Sequence, residues 1–149
     1  MAEGVFEGQS LSTPSDVAYV ATDNIQDGAV TSDKIDLATL ASSSVTPATG
    51  YAFGRDVLAT KKGGIVYLES NLSVPAISDP NNPNAAFLLP AGWRPRDIVN
   101  FVAYVSAGTV GRVARVRIAD NGEVRIGSIT SNITSGDFVQ LSGCTFIAA

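Results

Sequence analysis

No histidine occurs among the 149 residues, and that absence excludes more chemistry than any other feature of the composition. The commonest general base, the usual activator of a nucleophile and the commonest metal ligand are all missing. Cysteine is almost as scarce. Cys144 is the single thiol, so no internal disulfide can form, and it has no cysteine or histidine partner with which to hold zinc. It lies in the apolar run Gly143-Cys-Thr-Phe-Ile147 and reads as a buried structural thiol. Carboxylates in the second half stand singly in turns, at Asp79, Asp97, Asp120 and Asp137, and no local pattern pairs two of them as acid and base. Gly108-Thr-Val-Gly111 and Lys62-Gly-Gly64 lack the Gly-Lys-Ser/Thr step of a phosphate-cradling loop. No catalytic residue, metal ligand or cofactor is assigned, and the chain is expected not to be an enzyme.

Long hydrophobic runs are missing too. No apolar stretch approaches the roughly 18 residues that span a bilayer, and Met1-Ala-Glu-Gly-Val-Phe-Glu7 lacks the basic start and apolar middle of a signal peptide. Membrane insertion is not expected, and synthesis in a cytoplasm is. Positive charge is sparse and unevenly placed. The first 50 residues hold seven acids against one base, Lys34, a net charge of −6; the remaining 99 hold nine bases against seven acids, a net +2. Nothing forms the dense basic stripe from which nucleic-acid binders draw affinity, so a nucleic-acid partner is not expected. The asymmetry instead implies two parts with different neighbours.

What is present begins with a row of apolar residues spaced every five positions: Val20, Ile25, Val30, Ile35, Leu40 and Val45. A five-residue step advances about 500° around a helix, so successive groups drift by about 140° and form no stripe. In a strand an odd step sends each next residue to the opposite face. Such a segment cannot build a one-sided core alone, and it reads as a stretch surrounded by copies of itself about an axis. Residues 1–19, small, polar and acidic, have too little apolar surface to fold unaided and read as a docking arm. Ser42, Ser43, Ser44, Pro47 and Gly50 punctuate a hinge, so 20–50 is expected to be a short intertwined stalk.

From residue 51 to 149 the text changes to short strands. Val66, Leu68, Leu72 and Val74 alternate onto one face, Ala86–Leu89 is a short apolar strand, and further strands are expected over 98–105, 109–118, 123–126, 138–141 and 145–147. Ser78-Asp-Pro-Asn-Asn-Pro-Asn84 between them is a turn cluster, hence a surface loop. Many short strands with Gly, Pro, Asn and Asp turns and no long helix indicate a mostly β chain with an antiparallel, jelly-roll-like β-sandwich head. One hairpin can be registered from pattern. A two-residue turn at Asn121-Gly122 sets Ile118 opposite Arg125; a three-residue loop, Asp120-Asn-Gly122, with Gly122 in the left-handed conformation, pairs Ile118 with Val124 and Val116 with Ile126. The second is expected. It sets Arg117 opposite Arg125, with Arg115 further along the same face, so an acidic group, partner or ligand should lie close by.

Two sets of binding candidates follow. Trp93, flanked by Arg94 and Arg96, could stack a sugar or anchor a protein contact, or else cover the end of its own sandwich. Arg115, Arg117 and Arg125 are either a solvated outer face or a site for an acidic partner or anionic ligand. The Asn-rich loop 78–84 suits carbohydrate hydrogen bonds but serves equally as a connector. Tyr51, Phe53, Tyr67 and Tyr104 are assigned to core or intersubunit packing.

The segment Ile25-Gln-Asp-Gly-Ala-Val-Thr-Ser-Asp-Lys-Ile35 resembles the roughly ten-residue repeat of bacteriophage tail fibres. Leu89-Pro-Ala-Gly-Trp-Arg-Pro95, followed by a hairpin closing on Asp120-Asn-Gly122 and a final strand, is similar to the terminal β-domains of phage fibres and baseplate proteins. The resemblance implies a homotrimeric virion protein, attached to other capsid or tail proteins through its N-terminal arm, with a head exposed to the host and a bacterial surface glycan as a candidate partner. Little more than one repeat unit is present, so any shaft is short, on the order of 100 Å. A short spike fits, as does a capsid-surface fibre or decoration (cement) protein; a monomeric carbohydrate-binding module is the remaining alternative. Replacing Val30 and Ile35 together with Asp is expected to abolish oligomers while leaving the head folded, as read by light scattering and circular dichroism.

Overall fold

The structure is a computed structural model that describes residues 37–106 and 111–149. Residues 1–19 and the row positions Val20, Ile25, Val30 and Ile35 lie outside the described residues. Eleven strands follow within them: β1 Ala38–Ala41, β2 Ala52–Phe53, β3 Val57–Lys62, β4 Ile65–Leu68, β5 Asn71–Ser73, β6 Ala85–Leu88, β7 Val99–Ser106, β8 Arg112–Ile118, β9 Glu123–Ser128, β10 Phe138–Gln140 and β11 Thr145–Ile147. They form a four-stranded sheet in the order β1-β3-β4-β11 and a seven-stranded sheet in the order β2-β5-β10-β7-β8-β9-β6. The pairings within these sheets are antiparallel, and the two sheets enclose one apolar core, as the strand pattern predicts for a sandwich.

The alternation Val66, Leu68, Leu72, Val74 is buried throughout, but it is divided between the sheets. The first pair sits on β4 of the small sheet, and the chain then crosses at Glu69-Ser70 so that Leu72 enters the core from β5 of the large one. Facing Val66 and Leu68 across the core are Val105, Ala114, Val116, Ile118, Val124, Ile126 and Val139, the inward residues of the large sheet. Phe53 and Phe87 meet edge to face at 5.0 Å between ring centres. Tyr51 is buried with them, whereas Tyr67 and Tyr104 are exposed on the outer faces. Cys144 is buried, and burial pushes its thiol up to about 11, which keeps it protonated and inert at neutral pH.

The hairpin adopts the three-residue loop. Ile118 pairs with Val124, Val116 with Ile126 and Arg117 with Arg125. Gly122 has φ +93°, and a Cβ there would come within 2.5 Å of the Leu89 carbonyl oxygen. That contact joins the Leu89–Pro95 element to the Asp120–Gly122 hairpin: the Leu89 amide donates to the Gly122 carbonyl at 2.9 Å, and Arg94 Nε donates to the Leu89 carbonyl at 2.9 Å.

Residues 37–50 depart from the stalk expectation. The described residues belong to one unit, 32–149, and β1 is hydrogen-bonded to β3, with Leu40 opposite Ala59. Leu40 and Val45, read as the last two axial contacts, are each only 7 % exposed and pack in the chain's own core. The physical reason is local. A three-residue 3-10 turn at Ser42–Ser44 lies between them and changes the chain direction, so a five-residue step can bury both residues without a partner. Leu40→Ala is therefore expected to lower the stability of the head by about 2–4 kcal/mol, read by urea unfolding, rather than to act only on oligomer mass.

Candidate functional site

Alternation on the large sheet sorts its side chains. Residues 114, 116 and 118 of β8 point inward, so Val113, Arg115 and Arg117 lie on the outer face, joined there by Val102 and Tyr104 of β7 and by Glu123, Arg125 and Gly127 of β9. Arg117 stands directly opposite Arg125, and Val102 opposite Arg115. Arg112 is separate from this group: it closes on Asp137 at 3.1 Å, a carboxylate that also accepts from the Thr134 amide and hydroxyl.

Against β9 the loop of residues 78–84 rises as a wall. Its Asn82 side-chain amide donates to the Ile126 carbonyl at 2.9 Å, and the Ser128 amide donates to the Asp79 carbonyl at 3.2 Å. Asp79 and Asn82 turn the loop internally, accepting from the Asn81 and Asn84 amides. Tyr51 is hydrogen-bonded to Asn82 from below; its hydroxyl is held above its ordinary pKa by burial, partly offset by that bond. The loop lies so close that a Cβ on Gly127 would stand 2.2 Å from the Pro80 carbonyl oxygen. Only glycine admits this approach.

Floor and wall together enclose a recess of about 200 Å³, lined by Pro80, Asn81, Asn82, Arg115, Arg117, Arg125 and Gly127. Arg115 is held in place, with Nη1 donating to Asn81 Oδ1 at 2.8 Å and Nε to Asn100 Oδ1 at 3.2 Å. Arg125 pairs with the Glu123 carboxylate through Nη2, while its buried Nε has no hydrogen-bond partner among the described residues. Arg117 makes no hydrogen bond or ion pair among them. One carboxylate for three guanidinium groups leaves a formal surplus of two positive charges. Glu123 is the acidic neighbour expected from the Arg117–Arg125 pairing, and it compensates only part of that charge.

Trp93, Arg94 and Arg96 are not part of this recess. Trp93 follows a turn in which Gly92 has φ +81° and the Trp93 amide donates to the Pro90 carbonyl; its ring is partly buried against the core, with Lys61 Nζ 5.7 Å from the ring centre. The ring thus covers the sandwich rather than standing out as a platform. Arg94 supports the Leu89 turn, and Arg96 is exposed beside β11, where its amide donates to the Ile147 carbonyl. Asn81 and Asn82 fall in the loop 78–84 that the sequence offers for hydrogen bonding or as a connector, without linking it to the arginines; Gly127 is the site residue that sequence reasoning leaves unassigned. A glycine inside a strand was the available signal, because it marks close approach by another backbone.

An apolar strip adjoins the recess. Val102 is 71 % exposed, and Tyr104 and Phe138 lie exposed on the same face. Arg117→Ala is expected to leave stability unchanged or raise it by less than about 1 kcal/mol, since it removes a like-charge pair and breaks no bond. Gly127→Ala should cost about 1–3 kcal/mol by overpacking and speed amide exchange in the loop. Urea unfolding and hydrogen exchange read the two effects.

No protein-family model matches the chain, and no curated protein matches it in sequence. Among solved structures, the chain is similar to the crystal structure of the receptor binding protein (gp15) of Listeria phage PSA, with a TM-score of 0.57 over 95 % of this chain and 94 % of that one. Sequence identity is 13 %, so the likeness is one of fold. What the two chains share is an antiparallel two-sheet β fold over nearly their whole lengths.

Proposed function

We propose that this chain is a bacteriophage virion protein, a short homotrimeric fibre or spike whose head contacts the host cell surface. The observation that carries the reading is the fold shared with a phage receptor-binding protein over nearly the whole length of both chains. Three features support it independently. The segment Ile25–Ile35 resembles a tail-fibre repeat; the Leu89–Pro95 element and the Asp120–Gly122 hairpin, common to phage fibre ends, are packed on each other; and the outer face of the large sheet carries a polar recess beside exposed apolar side chains. Binding rather than catalysis is the activity assigned.

The brevity of the stalk favours a second placement, on the capsid as a surface fibre or decoration protein. The two readings differ in location and in competition for the host. Immunogold microscopy of the particle is expected to place the chain at the tail tip, and purified chain in excess is expected to slow adsorption of its phage. Label confined to the capsid, with adsorption unaffected, selects the decoration role. Light scattering should give three times the 15.4 kDa chain mass; a monomer mass removes the fibre reading.

A further inference from the structure

The geometry points to the recess over β8 and β9 as a binding site for a tetrahedral oxyanion, a phosphate- or sulfate-type group. Three observations converge on it. Arg117 and Arg125 are directly opposite across the ladder, and Arg115 stands two residues from Arg117 on the same face. Cβ atoms of opposed residues are about 4.5–5.5 Å apart, and alternate residues of a strand about 6.7 Å, so the three guanidinium groups can close around one point. The donors there are unspent. Arg125 Nε is buried without an acceptor, and Arg117 is unpaired among the described residues. A guanidinium group only donates, so Asn81 must present its oxygen to Arg115, which leaves the Asn81 amide nitrogen as a further neutral donor.

The arrangement is also held ready. Arg115 is fixed by two asparagine oxygens, and the wall that carries Asn81 is held to β9 by Asn82 and by the close approach at Gly127. A site whose donors are already ordered loses less entropy on binding. Charge selects the ligand. Two like charges face each other with only Glu123 to offset them, and an anion between them turns that repulsion into attraction. Shape selects it further, because a planar carboxylate offers two oxygens in one plane, whereas a tetrahedral group offers three or four toward guanidinium forks arriving from two strands. The recess, about 200 Å³, exceeds a single ion, which suits an ester carried on a larger molecule. That the larger molecule is a host surface polymer rests on the host-contact reading above; the anion chemistry of the recess does not.

The test is thermal melting of the full chain at constant ionic strength, with chloride replaced in turn by phosphate, sulfate, methyl phosphate and acetate. Wild type is compared with Arg117→Gln, which loses a charge but no hydrogen bond. At ligand tenfold above its dissociation constant, phosphate or sulfate is expected to raise Tm by roughly 4 °C or more in the wild type. In Arg117→Gln most of that rise should be gone. Phosphate and sulfate also stabilise proteins by exclusion from their surface, an effect that would be the same in both chains. An equal rise in wild type and variant therefore overturns the site, as does no rise at all. Acetate matching phosphate also overturns it, in favour of a carboxylate partner such as an acidic segment of another copy. Methyl phosphate binding more tightly than phosphate supports an esterified ligand, and equal binding supports the free ion. Because purified protein is used, the outcome is independent of where the chain sits on a particle and of whether it blocks adsorption.

Discussion

The register of the β8–β9 hairpin is the constraint on which both the core and the recess depend. Side chains alternate strictly across a strand, so a slip of one residue would send Val116, Ile118, Val124 and Ile126 outward and carry the arginines into the apolar interior. Gly122 prevents that slip. Its left-handed conformation closes a three-residue loop, and the Leu89 carbonyl occupies the space that any side chain would need. The turn is pinned from outside as well, by the Leu89 amide on the Gly122 carbonyl and by Arg94 on Leu89. One glycine thus decides at once which face is hydrophobic and which is cationic.

Long-range contact then converts a charged face into a recess. Arginines on a flat outer sheet are ordinarily solvated and mobile, and surface charges in that state contribute little. Here the loop from Ser78 to Asn84 is anchored to β9 beside them, so two of the donors are ordered or enclosed. The asparagines carry this work because each amide offers a donor and an acceptor at once, letting the loop bond to itself, to the Ile126 carbonyl and to Arg115 without adding charge of either sign.

How much of this was legible in the sequence depended on distance along the chain. The hairpin, its register and the opposed arginines could be read because turn chemistry and alternation are local. Strands β1 and β3 could not. Leu58 and Ala59 are buried consecutively, and the pairing of β1 with β3 is irregular between Leu40 and Ala41, so the period-two signal is broken where it was needed. Leu40 and Val45 fitted a five-step row, and only tertiary contact shows that they pack in the core of the sandwich. Loop 78–84 could be read as a polar surface loop, but its docking as the wall of the recess could not: Asn82 reaches a carbonyl 44 residues away, and nothing near Asn82 announces it.

The placement of β1 has a mechanical consequence. The chain enters the sandwich as an edge strand laid along β3, with Leu40 sunk into the core beneath it. Tension transmitted from the preceding residues along the strand direction would be shared among its ladder bonds in shear, together with the anchoring of Leu40. Tension directed away from the sheet would open the same bonds one at a time. Attachment of the sandwich to what precedes it is therefore strong in one direction and weak in another.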